Sequence, residues 1–172
     1  MTRARVLMVV VATSCVVLTA TASAGAAAAP TSGRVDGVIA RVADADCMHV
    51  PGARPFVDPD CGRLYVAFGG ALVSTQPSWL SLRGVLDRDG HGGTIEGAQG
   101  FTGCLGQRCG TLRLTIHGRF SYARRSGDPI VDGVARIRRA TGGLAGLGGA
   151  LSFHLGRSGA YGGVLHLPSA RP

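Results

Sequence analysis

Residues 112–122 read LRLTIHGRFSY, an unbroken alternation of apolar and polar side chains. Leu112, Leu114 and Ile116 fall on one side of the alternation, and arginines, a threonine and a histidine fall on the other. Because successive side chains of a β-strand point to opposite faces of a sheet, this pattern predicts a strand with one buried and one solvated face.

The same alternation recurs in shorter form at residues 63–68, 80–86 and 151–155, with glycines between the apolar runs. The 28 glycines of the chain disfavour long helices, since an interior glycine costs a helix about 1 kcal/mol relative to alanine. No segment after residue 30 keeps an apolar stripe at helical spacing for three turns. The sequence therefore predicts an all-β fold, a small antiparallel β-barrel of about eight strands.

The last two predicted strands can be aligned by matching their apolar sides. The match pairs Leu155 with Tyr161, Phe153 with Gly163, and Leu151 with Leu165, and it leaves residues 156–160 as a glycine-containing turn. A slip by one residue would expose the whole apolar set, so matching of this kind fixes which face is buried.

A resemblance to a known family rests on the same end of the chain. Residues 139–153, RATGGLAGLGGALSF, and residues 159–167, GAYGGVLHL, resemble the closing strands of allene-oxide-cyclase-like and dirigent-like barrel proteins. The sequence departs from that pattern at residues 141–143, which read TGG where GTG is expected. The resemblance implies an eight-stranded barrel, and it carries no catalytic residue across.

The N-terminus predicts export. Two arginines, an apolar run at residues 6–20 and small residues before Pro30 are typical of a secretory signal peptide over residues 1–29, cleaved after Ala24 or Ala29. The run is too short for a membrane span, so the mature chain is expected to have none. A lipid attached at Cys15 is the alternative. Residues 30–172 then form a single barrel domain in a secreted or extracytoplasmic protein.

Removal of the signal peptide would leave an even set of four cysteines: Cys47, Cys61, Cys104 and Cys109. An even count in an exported chain indicates a disulfide framework, and four cysteines allow three connectivities. Pairing of sequence neighbours is the simplest of these. A four-cysteine zinc site would need two close Cys-x-x-Cys pairs, which the spacings do not provide.

Two similar acidic segments precede the first two of these cysteines. Their carboxylates belong to Asp44, Asp46, Asp58 and Asp60. A disulfide between Cys47 and Cys61 would bring the four carboxylates together, and Ca²⁺ could then bridge them. Turn formation by aspartate and proline is the favoured interpretation, with calcium as the alternative. Residues 87–98 resemble a calcium-binding loop, but position 12 is Ala98 instead of glutamate, so we predict a polar hairpin there.

The remaining signals leave function open. The five histidines are predicted to be scattered on the surface, no serine lies in a G-x-S-x-G motif, and neither a catalytic set, a metal nor a cofactor is predicted.

All 18 basic residues are arginine, a bias typical of GC-rich bacterial coding, and the net charge of +8 falls to +6 when Arg3 and Arg5 leave with the signal. With 5% aromatic residues, a nucleic-acid platform is disfavoured.

Three functions follow as hypotheses. The first is a bacterial barrel that binds a small apolar ligand inside, the second is a cyclase- or isomerase-type barrel enzyme, and the third is a protein that interacts with an anionic polymer of the cell envelope.

Overall fold

The computed structural model describes residues 32–44, 56–57, 62–124 and 128–167. These residues form one antiparallel sheet of nine strands and no helix. The strands are β1 (Ser32–Asp44), β2 (Arg63–Gly70), β3 (Leu72–Ser74), β4 (Ser78–Leu86), β5 (Gly92–Leu105), β6 (Arg108–Tyr122), β7 (Pro129–Gly142), β8 (Gly148–Leu155) and β9 (Ser158–His166).

Eight of the nine strands close into a ring, in the order β1, β2, β4, β5, β6, β7, β8, β9 and back to β1. Neighbours in the ring follow one another in sequence, apart from the closing pair of β9 with β1 and the short β3, which pairs with the end of β5. The predicted all-β, barrel-like architecture of about eight strands is confirmed. Closure gives eight strands two paired neighbours each, so most of the edge-strand surface disappears.

The predicted alternation matches the faces of the ring. Leu112, Leu114 and Ile116 are buried, while Arg113 and His117 on the same strand are exposed. The interior is filled from every strand of the ring, and its aromatic residues meet edge to face. Phe68 contacts both Phe101 and Tyr161 at centroid distances of 5.5 and 5.3 Å.

Some interior residues come from outside the strands, namely Phe56, Leu144 and Leu147. Phe56 is 1% exposed and packs edge to face against Phe120 at 5.9 Å. Its carbonyl oxygen accepts a hydrogen bond from the Gly84 amide at 2.6 Å, next to a bond of 2.7 Å from the Leu82 amide to the Gly62 carbonyl. Phe56 and Gly62 therefore lie along β4, which the alternation pattern did not predict.

The predicted register of the last hairpin is wrong by two residues. Phe153 lies opposite Tyr161, Leu155 opposite Gly159, and Leu151 opposite Gly163, so the turn shortens to residues 156–157. A shift by two keeps every side chain on its predicted face, which is why apolar matching could not detect it. The observed register lets the Tyr161 hydroxyl accept a hydrogen bond from the Leu72 amide at 2.7 Å, a contact between distant parts of the chain.

The predicted signal peptide, with Cys15, lies outside the described residues. In the part of the chain that the structure describes, no helix has the length and apolar character needed to cross a bilayer.

Candidate functional site

The interior of the ring is packed. A void of about 10 Å³ remains there, roughly the space of one water molecule. Its lining consists of Ile39, Phe68, Leu80, Gln99, Ala135, Leu151, Phe153 and Tyr161. No preformed space for a small apolar ligand therefore exists among these side chains, and that ligand stays a prediction.

Few polar side chains reach the interior. Gln99 and Ser78 are buried, and Gln99 Nε2 and Ser78 Oγ have no hydrogen-bond partner among the described residues. The Tyr161 hydroxyl can donate to the carbonyl oxygen of Gly69 at 3.1 Å. Burial raises the pKa of Tyr161, the Leu72 amide opposes that shift, and the charge of Asp36 adds to it. The hydroxyl is therefore a structural group, held neutral and bonded to backbone.

The outer face has a more distinctive feature, a row of side chains that crosses five neighbouring strands. Arg63 on β2 lies opposite Ser81 on β4, which lies opposite Ala98 on β5. Ala98 lies opposite Thr115 on β6, and Thr115 opposite Arg136 on β7. The three central residues are small and the two end residues are arginines. We call this row the trough.

Larger side chains border the trough on both sides. On one side the neighbours along the strands are Trp79 and Arg113; on the other they are Arg83, Glu96 and His117. A groove of about 710 Å³ lies over this surface. Its lining consists of Phe56, Val57, Gly62, Arg63, Ser81, Leu82, Arg83, Glu96, Gly97, Ala98, Thr115 and His117. With strands about 4.8 Å apart, the four steps from β2 to β7 make the trough about 19 Å long.

A second groove, of about 490 Å³, begins where the trough ends. It is lined by Arg136, Ile137, Arg138, Gly149, Ala150, Val164 and His166. Ala150 continues the row of the trough, because it lies opposite Arg136. The two grooves together extend over seven strands, from β2 to β9. The lining of the second groove contains no acidic side chain.

A β-bulge concentrates arginines at the junction of the two grooves. Arg113 pairs with Arg139 but the next residue, Leu114, pairs with Ile137, so Arg138 is the extra residue of the bulge. The bulge changes the phase of β7, which places Arg138 and Arg139 on the outer face together with Arg136. With Arg113 these form the arginine cluster. Arg138 Nε donates a hydrogen bond to Thr115 Oγ1 at 3.1 Å.

The arginine cluster has no acidic partner in the described part of the chain. The ion pairs described elsewhere on the surface join Arg119 to Asp87 at 2.6 Å and Arg157 to Asp128 at 3.0 Å. None of the four cluster arginines takes part in an ion pair among the described residues, so each keeps N–H donors for an anion, Arg138 through the donors other than Nε.

The acidic residue beside the trough is Glu96, the middle one of the three side chains that border the trough on that side. It lies directly opposite Arg83 on β4 and opposite His117 on β6. Directly opposite side chains have Cβ atoms about 4.5–5.5 Å apart, so both basic groups can reach the carboxylate. Glu96 is exposed and forms no hydrogen bond or ion pair with another described residue.

Trp79 supplies a flat apolar surface beside the trough. Its indole lies over the backbone of Gly100 on β5, and a Cβ atom added at Gly100 would overlap the ring nitrogen. The side chain keeps 38% of its surface exposed, so the face of the ring away from the sheet is open to a ligand. Tyr65 lies opposite Trp79 on β2.

The predicted site residues have different outcomes. Cys104 and Cys109 form a disulfide with an S–S distance of 2.05 Å, across the hairpin of β5 and β6. Cys47, Cys61, Asp46, Asp58 and Asp60 lie outside the described residues. Asp44 ends β1, and its side chain is outside the described set too. The calcium alternative therefore stays a prediction.

The histidines of the described part are on the outer face, as expected. His154 Nδ1 lies 2.6 Å from Asp132 Oδ1, with both side chains more than half exposed. Among the described residues, no group of three or more histidine, cysteine or acidic side chains could hold a metal ion. The segment at residues 87–91 connects β4 to β5, as the hairpin prediction required.

The trough, the arginine cluster and the bulge were not predicted as a site. Alternation placed Arg113, Arg136 and His117 on a polar face, but it could not show that they lie on or beside one row of side chains across neighbouring strands. The comparisons with known proteins add no assignment: no family model, no curated protein and no solved structure matches this chain.

Proposed function

We propose that this is an exported binding protein whose trough holds a linear anionic polymer of the cell envelope. One observation carries the proposal, the row from Arg63 to Arg136, which has small residues at its centre and arginines at both ends. An extended chain could lie across the strands in this row. Its anionic groups would meet guanidinium groups at each end.

The arginine cluster supports an anionic partner in particular. Guanidinium groups offer planar, two-pronged hydrogen bonding that fits carboxylate and phosphate groups. Four such groups with no described acidic partner form a local positive field, and unneutralised charge of one sign attracts a ligand of the opposite sign. A bulge that adds Arg139 to the outer face beside Arg138 is also typical of strands that shape a binding site.

Two features support a function of this protein outside the cytoplasm. The first is the predicted signal peptide of residues 1–29. The second is the Cys104–Cys109 disulfide, because such bonds persist in oxidising compartments and are rare in the cytosol. Envelope polymers are the anionic chains that an exported bacterial protein meets first.

The other two hypotheses have less support. An apolar ligand inside the ring would need side chains to move, since the void of about 10 Å³ holds no more than a water molecule. A cyclase-type reaction inside the ring needs space for its substrate as well. Both remain hypotheses without a preformed site among the described residues.

The test measures retention of the mature protein on isolated bacterial cell wall as the salt concentration rises. We expect retention at low salt and release as salt screens the charges, because exposed charges interact over a Debye length of about 10 Å at 0.1 M salt. The double variant Arg136→Ala/Arg138→Ala should lose roughly tenfold or more in affinity, since each charged hydrogen bond contributes about 1.5–3 kcal/mol when buried by a ligand and less when solvated.

The matched control is Arg88→Ala/Arg124→Ala, which removes the same charge from exposed arginines in the loops after β4 and β6. This variant should bind nearly as well as the unaltered protein. Equal loss in the two double variants would mean that net charge alone drives retention, and it would refute a specific trough. Retention that is independent of salt would refute an anionic partner.

A further inference from the structure

The carboxylate of Glu96 is unexpected on a surface whose arginines bind anionic groups. It is the one glutamate of the chain, and it borders the middle of the trough, between Arg83 and His117. It forms no ion pair with a described residue, although basic groups lie opposite on both neighbouring strands. A carboxylate held at this point repels any anionic group that a polymer places at the centre of the trough.

The same carboxylate attracts a different chemical group. An ionised glutamate accepts hydrogen bonds and donates none, so it binds hydroxyl and amide N–H groups. The hydroxyls of Ser81 and Thr115 lie on the trough floor beside it and can accept or donate. The centre of the trough therefore suits a neutral, hydroxyl-bearing unit, whereas the ends suit anions.

Trp79 indicates what that neutral unit is. The exposed ring face borders the same trough, held by the flat backbone at Gly100. An aromatic ring of this kind presents an apolar face of fixed orientation, which packs against the C–H face of a sugar ring while the sugar hydroxyls remain free for polar groups. Aromatic face and hydroxyl acceptors occur together on this part of the sheet.

From these groups we infer that the trough selects an acidic polysaccharide with spaced charges, in which neutral sugar units separate the anionic ones, and that Glu96 is the residue that excludes densely charged polyanions. This inference rests on the proposed function. The two arginine ends are about 19 Å apart along the sheet, so the favoured polymer carries fewer charges across that span than a polyanion with one charge on every unit.

The experiment compares the affinity of the mature protein for two probes at one salt concentration. Hyaluronate carries a carboxylate on every second sugar, and inorganic polyphosphate carries a charge on every phosphate. The unaltered protein should prefer hyaluronate. Glu96→Gln should bind polyphosphate about fivefold more tightly, because the central repulsion is lost, and should bind hyaluronate no more tightly, because an acceptor is weakened.

Asp36→Asn is the matched control, since it makes the same change in charge on the outer face of β1, a strand that contributes no side chain to the lining of either groove. It should leave the ratio of the two affinities unchanged. Trp79→Ala should lower the affinity for hyaluronate and leave that for polyphosphate unchanged. A thermal melt of each variant shows that it has folded.

The possible failures are distinguishable. If the unaltered protein binds both probes but Glu96→Gln changes their ratio no more than Asp36→Asn does, the selectivity is refuted and the binding function stands. Tighter binding of polyphosphate than of hyaluronate by the unaltered protein also refutes the selectivity, in favour of a dense polyanion such as a nucleic acid. Binding of neither probe, with no retention on cell wall, refutes the proposed function itself.

Discussion

Tyr161 links three strands through its hydroxyl group. The oxygen accepts a hydrogen bond from the Leu72 amide at 2.7 Å and can donate to the carbonyl oxygen of Gly69 at 3.1 Å or of Leu72 at 3.3 Å. The ring packs on Phe68 in the core. A side chain on β9 therefore holds the junction of β2 and β3, on the far side of β1.

We predict that Tyr161→Phe lowers the free energy of unfolding by roughly 1–3 kcal/mol, because it leaves the buried Leu72 amide without a partner. Chemical denaturation measures the change. Tyr65→Phe, at a partly exposed position on β2, is the control and should cost little. A loss at Tyr161 no larger than the loss at Tyr65 would contradict the structural role of the hydroxyl.

The same residue gives a pH dependence with a definite sign. Burial raises the pKa of Tyr161 above its ordinary value of 10.0, so the unfolded chain releases this proton at lower pH than the folded protein does. Stability should therefore be unaffected by this group below pH 10 and fall as the pH rises above it. Tyr161→Phe should reduce that fall, and an unchanged slope would show that other groups cause it.

At the scale of elements, the alternation of apolar residues predicted the strands because burial follows a period of two. The pattern at residues 112–122 became β6 with the expected faces. The bulge at Arg138 could not be predicted in this way, since Arg136, Ile137 and Arg138 continue the alternation and the phase changes only at Arg139. The partner strand decides where the extra residue goes, and with it the position of the arginine cluster.

The β5–β6 hairpin carries the disulfide, and we predict that it contributes to stability. Closing six residues, from Cys104 to Cys109, should stabilise the fold by about 2 kcal/mol through the entropy of the unfolded chain. Cys104→Ala/Cys109→Ala should therefore unfold at lower denaturant concentration, with the same slope, and should retain the binding of the unaltered protein. An unchanged midpoint would contradict this contribution.

At the scale of the whole molecule, closure of the ring determines what can bind and where. The pairing of β1 with β9 spans the described sequence from Ser32 to His166, and it seals the interior around packed aliphatic and aromatic side chains. The barrel-like architecture could be predicted from strand number and from alternation. The trough could not, because its side chains come from five strands and meet only once every register is set.

Mapping of the bound polymer on the protein surface tests the trough most directly. We would add a short hyaluronate oligosaccharide to ¹⁵N-labelled protein and record the changes in amide chemical shift. The trough predicts the largest changes at Ser81, Ala98 and Thr115, with the Trp79 indole N–H shifting as well. Largest changes at Gln99 and Tyr161 inside the ring, or on the outer face of β1, would contradict it.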